Sequence, residues 1–452
     1  MDTKKSIQGE WSSDFGFILA ATGSAVGLGN IWKFPYIAGE NGGGAFVIVY
    51  LACVLLIGMP IMMAETLMGR RSRQNPIDTL ITLTEEAGAD KRWRYLGWMG
   101  VIAGFLILSY YSVIAGWASA YVVKNLTGSF SGASPADIKT LFDSFIASPM
   151  QLIFWHTLFM VATMLIVARG VNGGLEKSVR FLIPGLFVLL ILLLGYAMTT
   201  SGYFKGLNFL LNPDFSKLTG TSILMAMGQA FFTLSIGMGA VMVYGAYLPK
   251  NVSIAKAIFI IAGADTLVAL LAGLIIFPIV FTHQLQPDSG PGLIFQTLPI
   301  AFGNMTAGWL VGTLFFIALV FAALSSSISL IEPAVAWLIE HKGLTRQQAC
   351  IKSGLAAWLM GLITVFSFNV WSGFKIFNQN LFELIDFITS NLMLPAGGLC
   401  IAVFAGWIMH QQHTENELAL PDAQSYILWR VVVRYVCPCA VFLVFLHVAG
   451  VV

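Results

Sequence analysis

The sequence predicts an all-α membrane protein of eleven transmembrane helices, forming a single domain over residues 1–452. Three observations carry that prediction. Of the residues, 57% are hydrophobic and only 10% are charged, and the mean hydropathy of +0.81 lies well outside the range of soluble globular chains. A helix needs roughly 20 mostly apolar residues to cross the hydrocarbon core, and eleven apolar runs of about that length alternate with polar separators. Nearly all of them lack the strict alternation of a barrel strand.

The first run, 15–32, follows Glu10 and Asp14 and has no cleavage-site pattern, so it reads as a helix of the mature protein and not as a signal peptide. Gly23, Gly27 and Gly29 crowd its middle, where glycine weakens a helix. Two explanations fit: small residues that let neighbouring helices approach, or a break that frees backbone carbonyls for a ligand. Runs 41–64, 95–123 and 150–168 are spans by length and lack of charge. Run 181–199 contains Pro184, which removes an internal hydrogen bond and leaves both a weakened turn and a harmless kink open. The sixth run, 220–249, repeats the interruption, with Thr233, Ser235, Gly237 and Gly239 near mid-span. Runs 257–282, 307–331, 353–374 and 387–410 complete a second set of five. Glycine-interrupted helices at corresponding places in two halves point to a midplane binding site between inverted repeats, here 13–199 and 220–407. The last run, 435–452, belongs to an additional C-terminal helix region, 424–452, outside the repeats.

Lys and Arg set the orientation. With the N-terminus inside, eighteen of them flank the cytoplasmic ends and six the outer ends, which places the N-terminus in the cytoplasm, the C-terminus outside, and the chain in the plasma membrane. A net charge of +2 excludes a nucleic-acid partner, and nothing in the sequence marks an obligate protein partner. Cys53, Cys350, Cys400, Cys437 and Cys439 read as small buried hydrophobes. The segment GSAVGLGN has glycines at short spacing, yet no strand precedes it and no βαβ unit surrounds it, so it is not a nucleotide loop. An intramembrane enzyme would need a His-rich metal cluster or a Ser/His constellation at matched depth, and the chain has neither.

GSAVGLGNIWKFPYIAGENGGGAF at 23–46 resembles the first-helix signature of the neurotransmitter:sodium symporter family. GQAFFTLSIGMGA at 228–240, AALSSSISLIEP at 322–333 and Tyr110-Tyr111 resemble the family's sixth, eighth and third helices, so the resemblance covers Trp11 to about Trp407. It implies a LeuT-type five-plus-five inverted repeat with broken first and sixth helices. It further implies a sodium-coupled secondary active symporter that imports L-amino acids by alternating access. Eleven helices make the chain look like a bacterial amino-acid member.

The resemblance implies two Na+ sites. Ala25, Asn30, Thr233 and Asp265 would hold the first ion, with the substrate carboxylate as a further ligand. Carbonyls of Gly23, Val26 and Ala322 and the hydroxyls of Ser325 and Ser326 would hold the second. All are oxygen donors, suited to a hard cation stripped of water. The substrate pocket would draw on Ser24, Ala25, Gly27, Leu28 and Gly29 at the first break and Ile107 and Tyr111 on the third helix. Phe232, Thr233, Ser235 and Met238 on the sixth and Ser326 and Leu330 on the eighth would complete it. Family members that carry monoamines have an Asp where this chain has Gly27, so the substrate is expected to bring its own carboxylate. The wall of Ile107, Phe232, Met238 and Leu330 is apolar, which points to hydrophobic amino acids.

Ionisable residues at membrane depth mark function by default. Lys33 and Asp386 match the family's outer gate pair, with Lys in place of the usual Arg and its bidentate fork. Glu340 matches the acidic inner gate residue, while Gln8 stands where the partner Arg is expected; Lys4 or Lys5 could substitute. Glu65 is expected to bond the broken sixth helix, with a similar task for Glu332. Gly174 and Pro184, separated by nine residues, resemble a family motif for unwinding the fifth helix. Asp265 stands where the family usually has Asn, and Ala269, one turn on, where chloride-dependent members have a hydroxyl. No chloride is therefore expected, because the carboxylate itself offsets the sodium charge.

Overall fold

The computed structural model describes Trp11, residues 13–287 and residues 292–448, and over these residues the chain is helical, with two isolated bridges and no strand. Among the described residues nine helices are long and apolar enough to cross a membrane, or ten when a bent pair counts as one span. The nine are Gly44–Ser72, Lys91–Leu126, Pro149–Val167, Val171–Met198, Ile254–Thr282, Gly308–Lys342, Arg346–Ser367, Leu381–Ile408 and Ala423–Leu443. The difference from eleven lies in the first and sixth segments. The first is the bent pair, with a 47° bend between Ala25 and Gly29. The sixth consists of Gly220–Thr233 and Ala240–Ala246, pieces of 14 and 7 residues that are each too short to span alone.

Several boundaries differ from the apolar runs because caps, not charges, set where a helix begins. Numbered in chain order with the first and sixth segments included, so that Val171–Met198 is the fifth, Ile254–Thr282 the seventh and Arg346–Ser367 the ninth, the ninth span starts at Arg346 and not at 353: Thr345 and Gln348 form a capping box in which each side chain bonds the other's backbone N–H. The last span starts at Ala423, where the Asp422 carboxylate accepts from Ser425 N at 2.7 Å, and it carries Arg430 and Arg434 within the helix. The fifth helix does not unwind at Gly174. Val171–Glu176 is a π-helical turn that runs directly into Lys177–Met198, with Pro184 inside the helix.

At the centre, the third span (Lys91–Leu126) and the eighth (Gly308–Lys342) pack along much of their lengths. The first helix lies against the fifth, seventh and eighth spans, so its break sits inside the bundle and away from lipid. That position is what permits it, since irregular backbone at membrane depth is tolerated only where protein surrounds it.

Candidate functional site

Both breaks are stitched by side chains from other helices. The first helix ends at Ala25, and Val26 turns extended with ψ 110°. Gly27 N then donates to Asn30 Oδ1 at 2.9 Å and Leu28 N to the Tyr111 hydroxyl at 3.0 Å. The Gly29 carbonyl accepts from Gln229 Nε2 at 2.7 Å. At the sixth helix, Ser235 (φ +55°), Gly237 (φ +81°) and Gly239 (φ +75°) reverse the backbone. Gly237 N donates to Glu65 Oε2 at 3.0 Å, the bond expected of Glu65. Gly237 is needed twice over: its φ disfavours a side chain, and a Cβ would lie 2.7 Å from the Leu394 carbonyl oxygen. The two breaks also face each other, with Ser235 Oγ donating to the Ser24 carbonyl at 2.9 Å. Backbone groups freed by unwinding are thus paired within the protein, as a water-poor setting requires.

Between the breaks lies a small cavity. It is lined by Ser24, Ala25, Gly27 and Gly29 from the first helix, Ile107 and Tyr111 from the third, and Phe232, Thr233, Ser235 and Met238 from the sixth. Ser326 and Leu330 of the eighth complete it. Leu28, placed by sequence in the same pocket, instead faces a second, outer cavity of about 230 Å³. Tyr111 and Phe232 line both cavities and form the partition between them. The inner one leaves about 20 Å³ free, little more than a water molecule requires, so any larger occupant must part its walls. Its polar lining is backbone and hydroxyl groups; its apolar lining is Ile107, Phe232, Met238 and Leu330. A Cβ on Gly27 would collide with Ser326 Oγ and come within 2.6 Å of the Tyr111 hydroxyl.

Two clusters of oxygens flank the cavity. In one, the buried Asp265 carboxylate accepts from Asn30 Nδ2 at 2.7 Å, from Thr233 Oγ1 at 2.9 and 3.0 Å and from the Tyr50 hydroxyl at 3.5 Å. Ala25 lines the cavity beside Thr233. In the other, Ser326 Oγ lies 3.3 Å from the Gly23 carbonyl, 3.2 Å from Ser24 and 3.0 Å from Val26. Ser325 Oγ is 2.9 Å from the Ala322 carbonyl and 3.4 Å from Val26. The first cluster joins the first helix to Thr233 and Asp265 on two elements of the second half, and the second joins it to Ser325 and Ser326 on one; carboxylate, hydroxyl and carbonyl oxygens of this kind suit a small hard cation.

Above the partition, Lys33 Nζ reaches Asp386 at 3.2 Å and lies 4.6 Å from the centroid of the Phe232 ring. Tyr110 and Ser390 donate to the same Asp386 oxygen at 3.0 and 2.8 Å. Tyr110 thus bonds Asp386 while its neighbour Tyr111 lines the inner cavity. Glu340, the acid expected at the inner gate, accepts from Asn75 N at 2.7 Å and Nδ2 at 2.9 Å, so the described residues give it an amide partner and no cation. Lys4, Lys5 and Gln8 lie outside the described residues. Trp11 packs edge-on against Tyr244 and donates to the carbonyls of Tyr244 and Tyr247.

Glu332 reaches the sixth segment at the end of its second half, through Tyr247, and not at the break. It is fully buried and takes a two-pronged ion pair from Arg346, at 3.0 and 2.7 Å, and a bond from the Tyr247 hydroxyl at 3.0 Å. Sequence reading missed Arg346 as its partner because the pairing depends on the fold of the 343–345 turn, which carries no charge signal. No cluster of three or more His, Cys, Asp or Glu with metal-site geometry occurs among the described residues.

Comparisons with known proteins agree with this geometry. The model of the Sodium:neurotransmitter symporter family matches residues 8–136 and 137–451. The chain is 39% identical to the uncharacterized sodium-dependent transporter YhdH of Bacillus subtilis over 100% of this chain and 99% of that protein. It is 34% identical to an uncharacterized sodium-dependent transporter of Haemophilus influenzae, over 99% of each. Among solved structures, that of MhsT in complex with L-phenylalanine superposes with a TM-score of 0.90 at 45% identity, over 97% of this chain and 99% of that one.

Proposed function

Since this chain belongs to the sodium:neurotransmitter symporter family, and is therefore a sodium-dependent transporter and not an enzyme, we propose that its cargo is an L-amino acid with an apolar side chain. Two Na+ ions drive import, and chloride takes no part. The observation that carries this reading is the cavity's mixed lining, freed backbone and Tyr111 together with the apolar Ile107, Phe232, Met238 and Leu330, beside an Asp265 carboxylate that the lining residue Thr233 bonds. MhsT, whose structure holds L-phenylalanine, supports it. The cargo's carboxylate would face Tyr111 and the first ion, and its ammonium the carbonyls at the breaks; an amine without a carboxylate would leave the ion under-coordinated.

The ions act by joining elements. The first would tie the first helix to Thr233 and Asp265, and the second would tie the first helix to Ser325 and Ser326 on the eighth. Ions and cargo that bind the closed arrangement better than the open ones shift the population toward it, and that differential affinity is the coupling. Chloride independence is supported by Asp265, whose charge would balance the first ion. Ala269, one turn on, offers no hydroxyl to a second anion, and the Tyr50 hydroxyl already faces the carboxylate. The Lys and Arg bias supports a plasma-membrane position with the N-terminus cytoplasmic and the C-terminus outside.

The test is uptake into proteoliposomes of the full chain under an inward sodium gradient. L-Phenylalanine, leucine, isoleucine and valine should compete for one saturable uptake that persists when gluconate replaces chloride. Inhibition by tryptamine as strong as that by tryptophan would overturn the cargo assignment.

A further inference from the structure

The last span, Ala423–Leu443, carries two arginines inside it, Arg430 and Arg434. A guanidinium at membrane depth is costly and is ordinarily paired with an acid. Among the described residues no carboxylate forms an ion pair with either arginine. Arg434 instead sets its Cζ 3.9 Å from the centroid of the Trp407 ring and 5.8 Å from that of Tyr435. Those two rings meet edge to face at 5.4 Å. Arg434 Nε is buried with no hydrogen-bond partner. Contact with a ring face stabilises the charge but satisfies no N–H.

The cluster is fixed in place. Trp407 Nε1 donates to the Arg434 carbonyl at 2.9 Å, across the contact between the last two spans. Trp407 is 48% exposed and Tyr435 50%, so both rings face the lipid. Trp407 also stands next to last in the span Leu381–Ile408, which puts the cluster at a membrane boundary. The following helix, Gln411–Leu418, pairs its Glu417 with Arg70 at 3.0 Å, on the side that the Lys and Arg bias makes cytoplasmic. Arg430 lies one turn before Arg434 on the same face and donates to the Tyr426 hydroxyl at 2.8 Å. Arg434 therefore stands on an exposed aromatic pair near the inner end of the Leu381–Ile408 span, with Arg430 one turn away and no anion paired with either among the described residues.

We propose that Arg434, with Arg430 beside it, binds the headgroup phosphate of an anionic phospholipid of the cytoplasmic leaflet, with an acyl chain lying against Trp407 and Tyr435. The planar guanidinium presents paired donors that match phosphate oxygens. A zwitterionic lipid brings its own cation and leaves the two arginines unbalanced; phosphatidylglycerol does not.

Native mass spectrometry of the purified full chain in an equimolar mixture of phosphatidylglycerol and phosphatidylcholine tests this. Wild type should retain phosphatidylglycerol preferentially, and Arg434→Gln should lose about fivefold of that preference, the effect of removing one basic residue near an anionic surface. Arg434→Lys should keep an intermediate share. Equal retention of both lipids by wild type, or unchanged preference in Arg434→Gln, would overturn the proposal. Should Arg434→Gln fail to fold, brominated lipids give the same answer through tryptophan fluorescence. Brominated phosphatidylglycerol should quench wild type more than brominated phosphatidylcholine, and Trp407→Phe should remove that excess. Persistence of the excess in Trp407→Phe would place the lipid elsewhere.

Discussion

Asp265 and Asn30, distant in sequence, meet at the centre of the bundle, where the Asp265 carboxylate accepts a 2.7 Å hydrogen bond from the Asn30 amide and a second bond reaches the Asp265 carbonyl at 3.0 Å. The break in the first helix is thereby tied to a charged group on the seventh span, next to Thr233 at the end of the first half of the sixth. An ion seated there would touch all three elements that must move together.

Asp265→Asn keeps the shape and the acceptor oxygen but removes the charge. The sodium concentration for half-maximal uptake should rise by tenfold or more, since a hydrogen-bonded charge in such a setting contributes about 1.5–3 kcal/mol. Adding Ala269→Ser should restore part of the affinity only when chloride is present. Uptake measured against sodium in chloride and in gluconate checks both, and an unaltered sodium curve in Asp265→Asn would sink the role given to this carboxylate.

Ser326 should matter more than Ser325. Its hydroxyl sits within 3.3 Å of three first-helix carbonyls, whereas Ser325 reaches one at 3.4 Å and bonds its own helix at 2.9 Å. Ser326→Ala should raise the sodium requirement about tenfold, and Ser325→Ala by less, on the scale of one hydrogen bond to a charged group. Equal and unchanged sodium curves for both variants would remove the second ion from this position.

Met238 sets the size of the apolar end, and its unbranched thioether adapts to different shapes. Met238→Ala should shift preference toward larger side chains and weaken uptake of valine, with about 1–3 kcal/mol at stake for each methylene-sized change in an apolar pocket. Competition of valine against tryptophan in wild type and variant measures the shift. Gly27→Ala should abolish uptake of every cargo, because its methyl group would occupy the space of Ser326 Oγ.

Arg346 and Glu332 should behave as a unit. Arg346→Ala leaves a fully buried carboxylate without its cation and should cost about 3–5 kcal/mol of stability. Glu332→Gln combined with Arg346→Gln should recover much of it. Thermal unfolding of the detergent-solubilised protein distinguishes the two, and a double variant no better than Arg346→Ala would show that the ion pair is not the source of the loss.

Much of this protein was legible in the chain itself. Membrane residence followed from hydropathy, because apolar runs of span length admit few alternatives; glycines at midplane depth left close helix packing and a break both open, and the family signatures pointed to the break. The signatures at 23–46 and 228–240 named the residues that gather around the cavity, since a freed backbone needs particular small and hydroxyl neighbours to be paired. Partners across distant segments were not legible. Nothing local in the sequence brings Arg346 to Glu332, Asn75 to Glu340, or Arg434 to Trp407, because each pairing depends on how helices cross and where caps begin them. The last helix makes the point: its apolar run starts at 435, and the 424–452 region carries Arg430 and Arg434 with nothing local to say what holds them. Only the tertiary structure decided that, by bringing the ring face of Trp407 against the Arg434 guanidinium.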